Sequence, residues 1–226
     1  MERYERNRNS ITPAQQALLA DKSVLVAGCG GLGGYVLEYM GRLGVGHLTA
    51  VDGDVFVPSN LNRQILCTQA TLGRSKAAAA AARMGEVNPL VTVTPVQDYL
   101  TAQNAADLTA GHDLVVDALD SPGARLLLWQ GARAAGIPMV HGAIAGWWLR
   151  VAAVFPEDTV LPALWAAEGA QGAEAGTGNL SFTAACAAAY EAAEAVKLLL
   201  GQGSPLRGAF LEVDLLRGTA ERVELA

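Results

Sequence analysis

A chain of 226 residues, 51% hydrophobic and only 17% charged, is long enough to bury a full core and too apolar to be a disordered segment. Sixteen basic residues against 22 acidic ones leave a net charge of −6, so no nucleic-acid groove is expected. No stretch reaches the roughly 18 apolar residues of a membrane span, and Met1 to Arg8 hold no apolar run for a signal peptide, so the expected setting is the cytoplasm with no membrane partner.

In chain order, Thr12-Pro13-Ala14-Gln15 combines an N-cap, a first-turn proline and a capping-box partner, predicting a helix to about Leu19. The apolar run 23–27 reads as a strand, Gly28-Cys29-Gly30-Gly31-Leu32-Gly33-Gly34 as a turn, and Val36, Leu37, Met40 and Leu43 recur at helical spacing. A strand over 47–52 closes a βαβ unit, whose parallel pairing requires a right-handed crossover. The alanine-rich run 73–87 predicts a helix, 91–94 a strand, 114–117 a buried strand, 122–135 a helix and 137–142 another strand. Residues 147–155 read as a strand of different direction. Residues 156–178, with Pro156, Pro162 and several glycines but no clear period, read as a mobile crossover loop and lid. Asn179 or Ser181 is positioned to cap a long helix through Leu200, and 207–225 suggests a terminal hairpin. The alternation predicts one α/β domain over 1–226, a Rossmann-like doubly wound sheet, largely parallel with antiparallel C-terminal strands, preceded by a helical arm over 1–21.

The pattern Gly28-x-Gly30-x-x-Gly33 between a strand and a helix lets backbone amides approach phosphates at a helix N-terminus. Tight strand-to-helix packing is the alternative reading. Asp52, 19 residues beyond Gly33, stands where a carboxylate accepts ribose hydroxyls, or else caps a turn. These features suit NAD, and hence an oxidoreductase, as well as ATP. The segment from Asp52 to Gln64, with Arg63 and then Lys76, adds cations and amides that a triphosphate needs and hydride transfer does not.

The runs Val24 to Gly33, Asp52-x-Asp54, Ser59-Asn60-Leu61-Asn62-Arg63-Gln64, Gly73-x-x-Lys76 and Asp117-x-x-Asp120 resemble the HesA/MoeB/ThiF group of ubiquitin-activating-enzyme-like adenylyltransferases. The resemblance extends to Arg3-Tyr4-x-Arg6, Glu194 to Leu199 and Phe210-Leu211-x-x-Asp214. It implies binding of ATP with Mg2+ and adenylation of the C-terminal carboxylate of a ubiquitin-like sulfur carrier ending in Gly-Gly, of ThiS or MoaD type, for thiamine or molybdopterin-type sulfur transfer. The ThiF side is preferred for the short chain, which shows no appended sulfurtransferase domain. Another carboxylate, on a small molecule, peptide or modified tRNA, is the alternative within the family.

By the same resemblance Asp52 holds the ribose, Asn60, Arg63 and Lys76 surround the phosphates, and Asp120 supports magnesium. Gly28, Gly30, Gly31, Gly33, Asp54 and Gln64 complete the nucleotide site, with Arg3 a further candidate and fixing of the turn the alternative role for Asp54. Arg6 is lent across a homodimer interface to the partner's ATP, since a polar arm at 3–6 would have little to do on its own subunit. Whichever of Asp117 and Asp120 faces away from the nucleotide is free to cap the helix near Pro122. Structural zinc is not expected, because the two Cys-x-x-Cys pairs of many relatives are missing and a tetrahedral thiolate site needs four ligands, whereas only Cys29, Cys67 and Cys186 are present. Cys29 and Cys186 read as packing residues, Cys67 as a weak reactive candidate, and His112 and His141 as histidines without a catalytic partner.

Overall fold

The computed structural model describes residues 2–167 and 174–225. A short 3-10 helix, Glu2–Asn7, precedes α1 (Pro13–Ala20), β1 (Ser23–Ala27), α2 (Gly31–Leu43) and β2 (His47–Val51). Then come α3 (Lys76–Val87), β3 (Thr92–Val96), α4 (Ala105–Thr109), β4 (Leu114–Asp117), α5 (Pro122–Ala135), β5 (Met139–Ala145) and β6 (Trp148–Val154). The chain continues through α6 (Val160–Ala167), α7 (Glu174–Thr177), α8 (Ser181–Leu199), β7 (Ala209–Asp214) and β8 (Thr219–Glu224).

All eight strands form one sheet in the order β3-β2-β1-β4-β5-β6-β7-β8. Pairings from β3 to β5 are parallel and those from β5 to β8 antiparallel, as the sequence pattern predicts. The chain leaves β1 toward β2 and β3 on one side, then returns to β4 on the other. This reversal opens a crevice beyond the carboxyl ends of β1 and β4, where α/β sheets bind ligands.

The period of two along β1 divides the core. Val24 and Val26 face α2 and α8, packing with Leu37, Met40, Ala184 and Ala187. Leu25 and Ala27 face the other way, with Val115, Leu128, Trp129, Met139 and Trp165. Because both faces are covered, the strand is apolar throughout.

Local signals hold where they are chemical. The Thr12 hydroxyl accepts the Gln15 N–H at 3.2 Å and Gln15 Oε1 accepts the Thr12 N–H at 2.9 Å, a complete capping box. Boundaries and caps differ elsewhere. α3 starts at Lys76 rather than Gly73, because Ser75 caps it by accepting the Ala78 N–H at 3.3 Å. The helix near Pro122 is capped by Ser121 and by neither aspartate. Neither Asn179 nor Ser181 caps α8, whose N-cap is Leu180; the Asn179 carbonyl instead accepts the Asn62 side-chain amide at 3.0 Å. The segment 156–178, expected as a mobile crossover loop and lid, is helical over Val160–Ala167 and Glu174–Thr177. Leu161, Pro162 and Trp165 of α6 are buried, so apolar packing makes a helix where the sequence shows no long period. Residues 168–173 of that segment lie outside the described residues. No helix among the described residues is long and apolar enough to cross a membrane.

The N-terminal arm does have work on its own subunit, contrary to expectation. Arg3 Nη1 donates to Asn88 Oδ1, and Tyr4 Oη accepts from Asn88 Nδ2 at 2.8 Å. Asn88, 2% exposed, also donates to the Gly41 carbonyl at 2.7 Å, which ties the arm to the end of α2.

Candidate active site

At the end of β1 the chain must turn sharply to enter α2. Gly28 makes the turn with φ +90°, and a Cβ there would lie 2.6 Å from the Ala118 carbonyl oxygen. A Cβ on Gly33 would lie 1.7 Å from the Gly28 carbonyl oxygen, so this glycine serves the packing of helix on turn. Gly30 is the N-cap of α2 without a side chain to occupy its first amides, which leaves those donors for an anion.

Beyond this turn lies a cavity of about 320 Å3, a size proper to a small-molecule site. Gly28, Gly30, Gly31, Asp52, Asp54, Arg63, Gln64, Lys76 and Asp120 all line it. Gly33 and Asn60 do not, and Arg6 is exposed on the arm, outside this cavity. Buried Asn60 uses Oδ1 to accept the Val57 N–H at 3.0 Å, holding the turn that carries Arg63.

Asp52 ties the two loops of the cavity floor together. Oδ2 accepts the Cys29 N–H and Oδ1 the Asp54 N–H, each at 2.8 Å. Each carboxylate oxygen retains a second lone pair for a ligand hydroxyl. Lys76 is only 7% exposed, and its Nζ donates to Asp54 Oδ2 at 2.9 Å. Tyr99 Oη donates to the other Asp54 oxygen at 2.6 Å. These two bonds hold the Asp54 carboxyl below the usual carboxylate range. Arg63 Nη1 donates to Asn62 Oδ1 at 2.9 Å and to the Ser59 carbonyl at 3.3 Å, while Gln64 Oε1 is buried at the wall without a partner.

Behind the cavity stands a buried trio that the sequence reading missed. Asp117 is fully buried; Oδ2 accepts Arg125 Nε at 2.9 Å and His141 Nδ1 at 2.7 Å, and Oδ1 accepts the Leu119 N–H at 3.1 Å. Burial opposes ionisation of Asp117, but Arg125 and His141 outweigh it and hold its carboxyl below the ordinary range. Burial, then Arg125, pushes His141 down despite Asp117. The surroundings thus favour the carboxylate form of Asp117 and disfavour protonation of His141. His141, read from the sequence as a histidine without a catalytic partner, has a buried hydrogen-bond partner in Asp117. Trp165 of α6 lies edge-on to His141, centroids 4.9 Å apart, with the Arg125 guanidinium 5.8 Å from its ring. A signal existed: an aspartate ending the apolar run Leu114-Val115-Val116 needs a cation nearby, and Arg125 lies on the next helix.

The cysteines are buried or half-buried. Burial, reinforced at Cys29 by the Asp52 charge, pushes all three thiols up, away from the reactive thiolate. Among the described residues no three His, Cys, Asp or Glu side chains gather around a possible metal position. Mg2+ commonly takes one or two carboxylates and completes its shell with phosphate oxygens and water, so exposed Asp120 at the cavity fits that ion.

Comparison with known proteins agrees with the doubly wound sheet. The SAMP-activating enzyme E1 of Haloferax volcanii is 36% identical over 99% of this chain and 84% of its own length. The sulfur carrier protein adenylyltransferase of Thermus thermophilus is 36% identical over 99% of this chain and 86% of its own. The molybdopterin-synthase adenylyltransferase of Escherichia coli is 34% identical over 89% and 82%. Among solved structures, PaaA superposes with a TM-score of 0.82 at 19% identity, covering 100% of this chain and 82% of that one, which supports the fold. The ThiF family model matches residues 4–226, and with relatives a third identical along nearly the whole chain, this protein belongs to the ThiF family.

Proposed function

We propose that this chain is an ATP-dependent adenylyltransferase that activates the C-terminal glycine carboxylate of a ubiquitin-like sulfur carrier of ThiS or MoaD type, in thiamine or molybdopterin-type sulfur transfer. The observation that carries the reading is one cavity lined by an amide-rich helix start, the Asp52 carboxylate, Arg63, Lys76 and Asp120. The names of the relatives support it: they are adenylyltransferases or activating enzymes, of sulfur carriers, molybdopterin synthase and SAMP. An NAD oxidoreductase leaves Arg63 and Lys76 without a task.

In this reading the amides at Gly30, Gly31 and the start of α2 take phosphate oxygens, and Asp52, which already accepts the Cys29 N–H, takes the ribose hydroxyls. A carrier carboxylate oxygen bonds to the α-phosphorus, the α–β bridging bond breaks, and pyrophosphate leaves with the electron pair. No proton moves and no protein nucleophile is needed. The difficulty is anion against anion, which Arg63 and Lys76 relieve. Asp120 would hold Mg2+, which when bound neutralises phosphate charge. Arg6 is assigned to the neighbouring site of a homodimer.

ATP–pyrophosphate exchange tests this. It should require Mg2+ and a carrier with a free C-terminal glycine, and Arg63→Ala, Lys76→Ala and Asp120→Ala should each lower it at least about tenfold. Wild-type rates in all three variants would sink the assignment. In the same assay, mixing inactive Arg6→Ala and Asp120→Ala chains should restore up to about half the activity per heterodimer, since one site regains both groups.

A further inference from the structure

Tyr99 is 61% exposed yet held on several sides. Its N–H donates to Asp98 Oδ1 at 2.8 Å, its carbonyl accepts Asn104 Nδ2 at 2.9 Å, and its hydroxyl donates to Asp54 Oδ1 at 2.6 Å. Its ring covers Gly53. A Cβ on Gly53 would lie 2.8 Å from three carbons of that ring. The backbone of Gly53 is outside the left-handed region, so its conformation does not demand glycine. What demands it is the aromatic ring.

The neighbouring backbone is independently fixed. Lys76 N–H donates to the Asp54 carbonyl at 3.0 Å, Phe56 N–H to the Arg74 carbonyl at 3.0 Å, and Gly73 N–H to the Phe56 carbonyl at 2.8 Å. The main chains carrying Asp54 and Lys76 therefore stay together whatever Tyr99 does. The Asp54 side chain is another matter, for it is half exposed and free to turn unless both oxygens are engaged. Lys76 takes one oxygen and the Tyr99 hydroxyl the other.

We propose that Tyr99 is a positioning residue for nucleotide binding: seated on Gly53, it clamps the Asp54 carboxylate and thereby sets the Lys76 ammonium at the phosphate end of the cavity. This rests on the adenylyltransferase reading. Without the hydroxyl, the Asp54 carboxylate rotates and draws the Lys76 ammonium with it. Without room over Gly53, the whole ring swings out to the same effect. Two substitutions at different residues thus share one mechanism, and both act through Lys76.

The test is calorimetric titration of the intact chain with ATP and Mg2+, followed by steady-state exchange. Tyr99→Phe, which keeps the ring as a wall, should weaken ATP binding about three- to tenfold, the scale of a bond to a charged group acting at one remove. The loss should appear in KM for ATP more than in kcat. Gly53→Ala should match it, and Gly53→Ala added to Tyr99→Phe should add less than about twofold, since the shared bond is already lost. In a Lys76→Ala chain, Tyr99→Phe should change affinity by less than about twofold. Unchanged affinity in Tyr99→Phe, independent addition of the two substitutions, or the same loss without Lys76 would each overturn the proposal. A wild-type chain that binds no ATP would instead bring down the functional reading, and this proposal with it; the wild-type arm separates the two failures.

Discussion

Two aspartate–cation pairs flank the cavity, and they differ in what water can reach. Asp54 and Lys76 meet at 2.9 Å with the carboxylate side chain 51% exposed, whereas Asp117 and Arg125 meet at 2.9 Å with side chains 0% and 8% exposed. Equal distances do not mean equal roles. A carboxylate open to solvent and to a ligand exchanges partners at small cost, while one that water cannot reach keeps the donors the fold gives it and so behaves as framework.

The largest expected effect separates the two directly. Asp117→Ala removes the buried carboxylate that accepts from Arg125, His141 and the Leu119 N–H, and should cost about 3–5 kcal/mol in urea unfolding. A loss below about 1 kcal/mol would break the comparison, because the pair would then be no more structural than a surface one.

A third carboxyl sharpens it. Glu191 of α8 is fully buried, neither oxygen has a hydrogen-bond partner, and it presses on Gly142 of β5. Burial, then the Asp117 charge, holds its carboxyl well above the usual range, with Arg125 opposing. The folded chain therefore keeps a proton that the unfolded chain releases near the ordinary value of 4.5. Stability must fall as pH rises from there toward the folded value. Glu191→Met removes that slope: it should stabilise the protein by about 1–3 kcal/mol at pH 8, the scale of a buried polar group without a bond. The gain should shrink as pH falls toward 4.5. Melting curves at several pH values that show a constant difference would refute a protonated Glu191.

The smallest expected effect on stability is at the open pair. Asp54→Asn should cost no more than about 1 kcal/mol in the same urea measurement, since the Asp54 side chain is half exposed, an asparagine oxygen still accepts from the Lys76 ammonium, and the backbone bond between Asp54 and Lys76 survives. A loss near that of Asp117→Ala would mean that Asp54 is framework too.

Much of this was legible in the chain. Gly28, Gly30, Gly31, Asp52, Arg63, Gln64 and Lys76 belong to one strand–turn–helix unit and the segment after it, and all line the cavity, whereas Gly33 of the same turn packs helix on turn. Tyr99 was not legible, because it reaches Asp54 across 45 residues from a loop with no period. His141 and Arg125 were missed for the same reason: they meet Asp117 only because β4 pairs with β5 and α5 folds back over the sheet.

The sequence by itself determined the strand–helix alternation, the capping box at Thr12 and the nucleotide-type turn, since each depends on neighbours within about one supersecondary unit. Tertiary structure alone decided the state of the charges. Whether an aspartate is an exchangeable ligand-facing group or a buried anion depends on how much water surrounds it and which cation the fold delivers. Both follow from packing between residues that are distant in the chain.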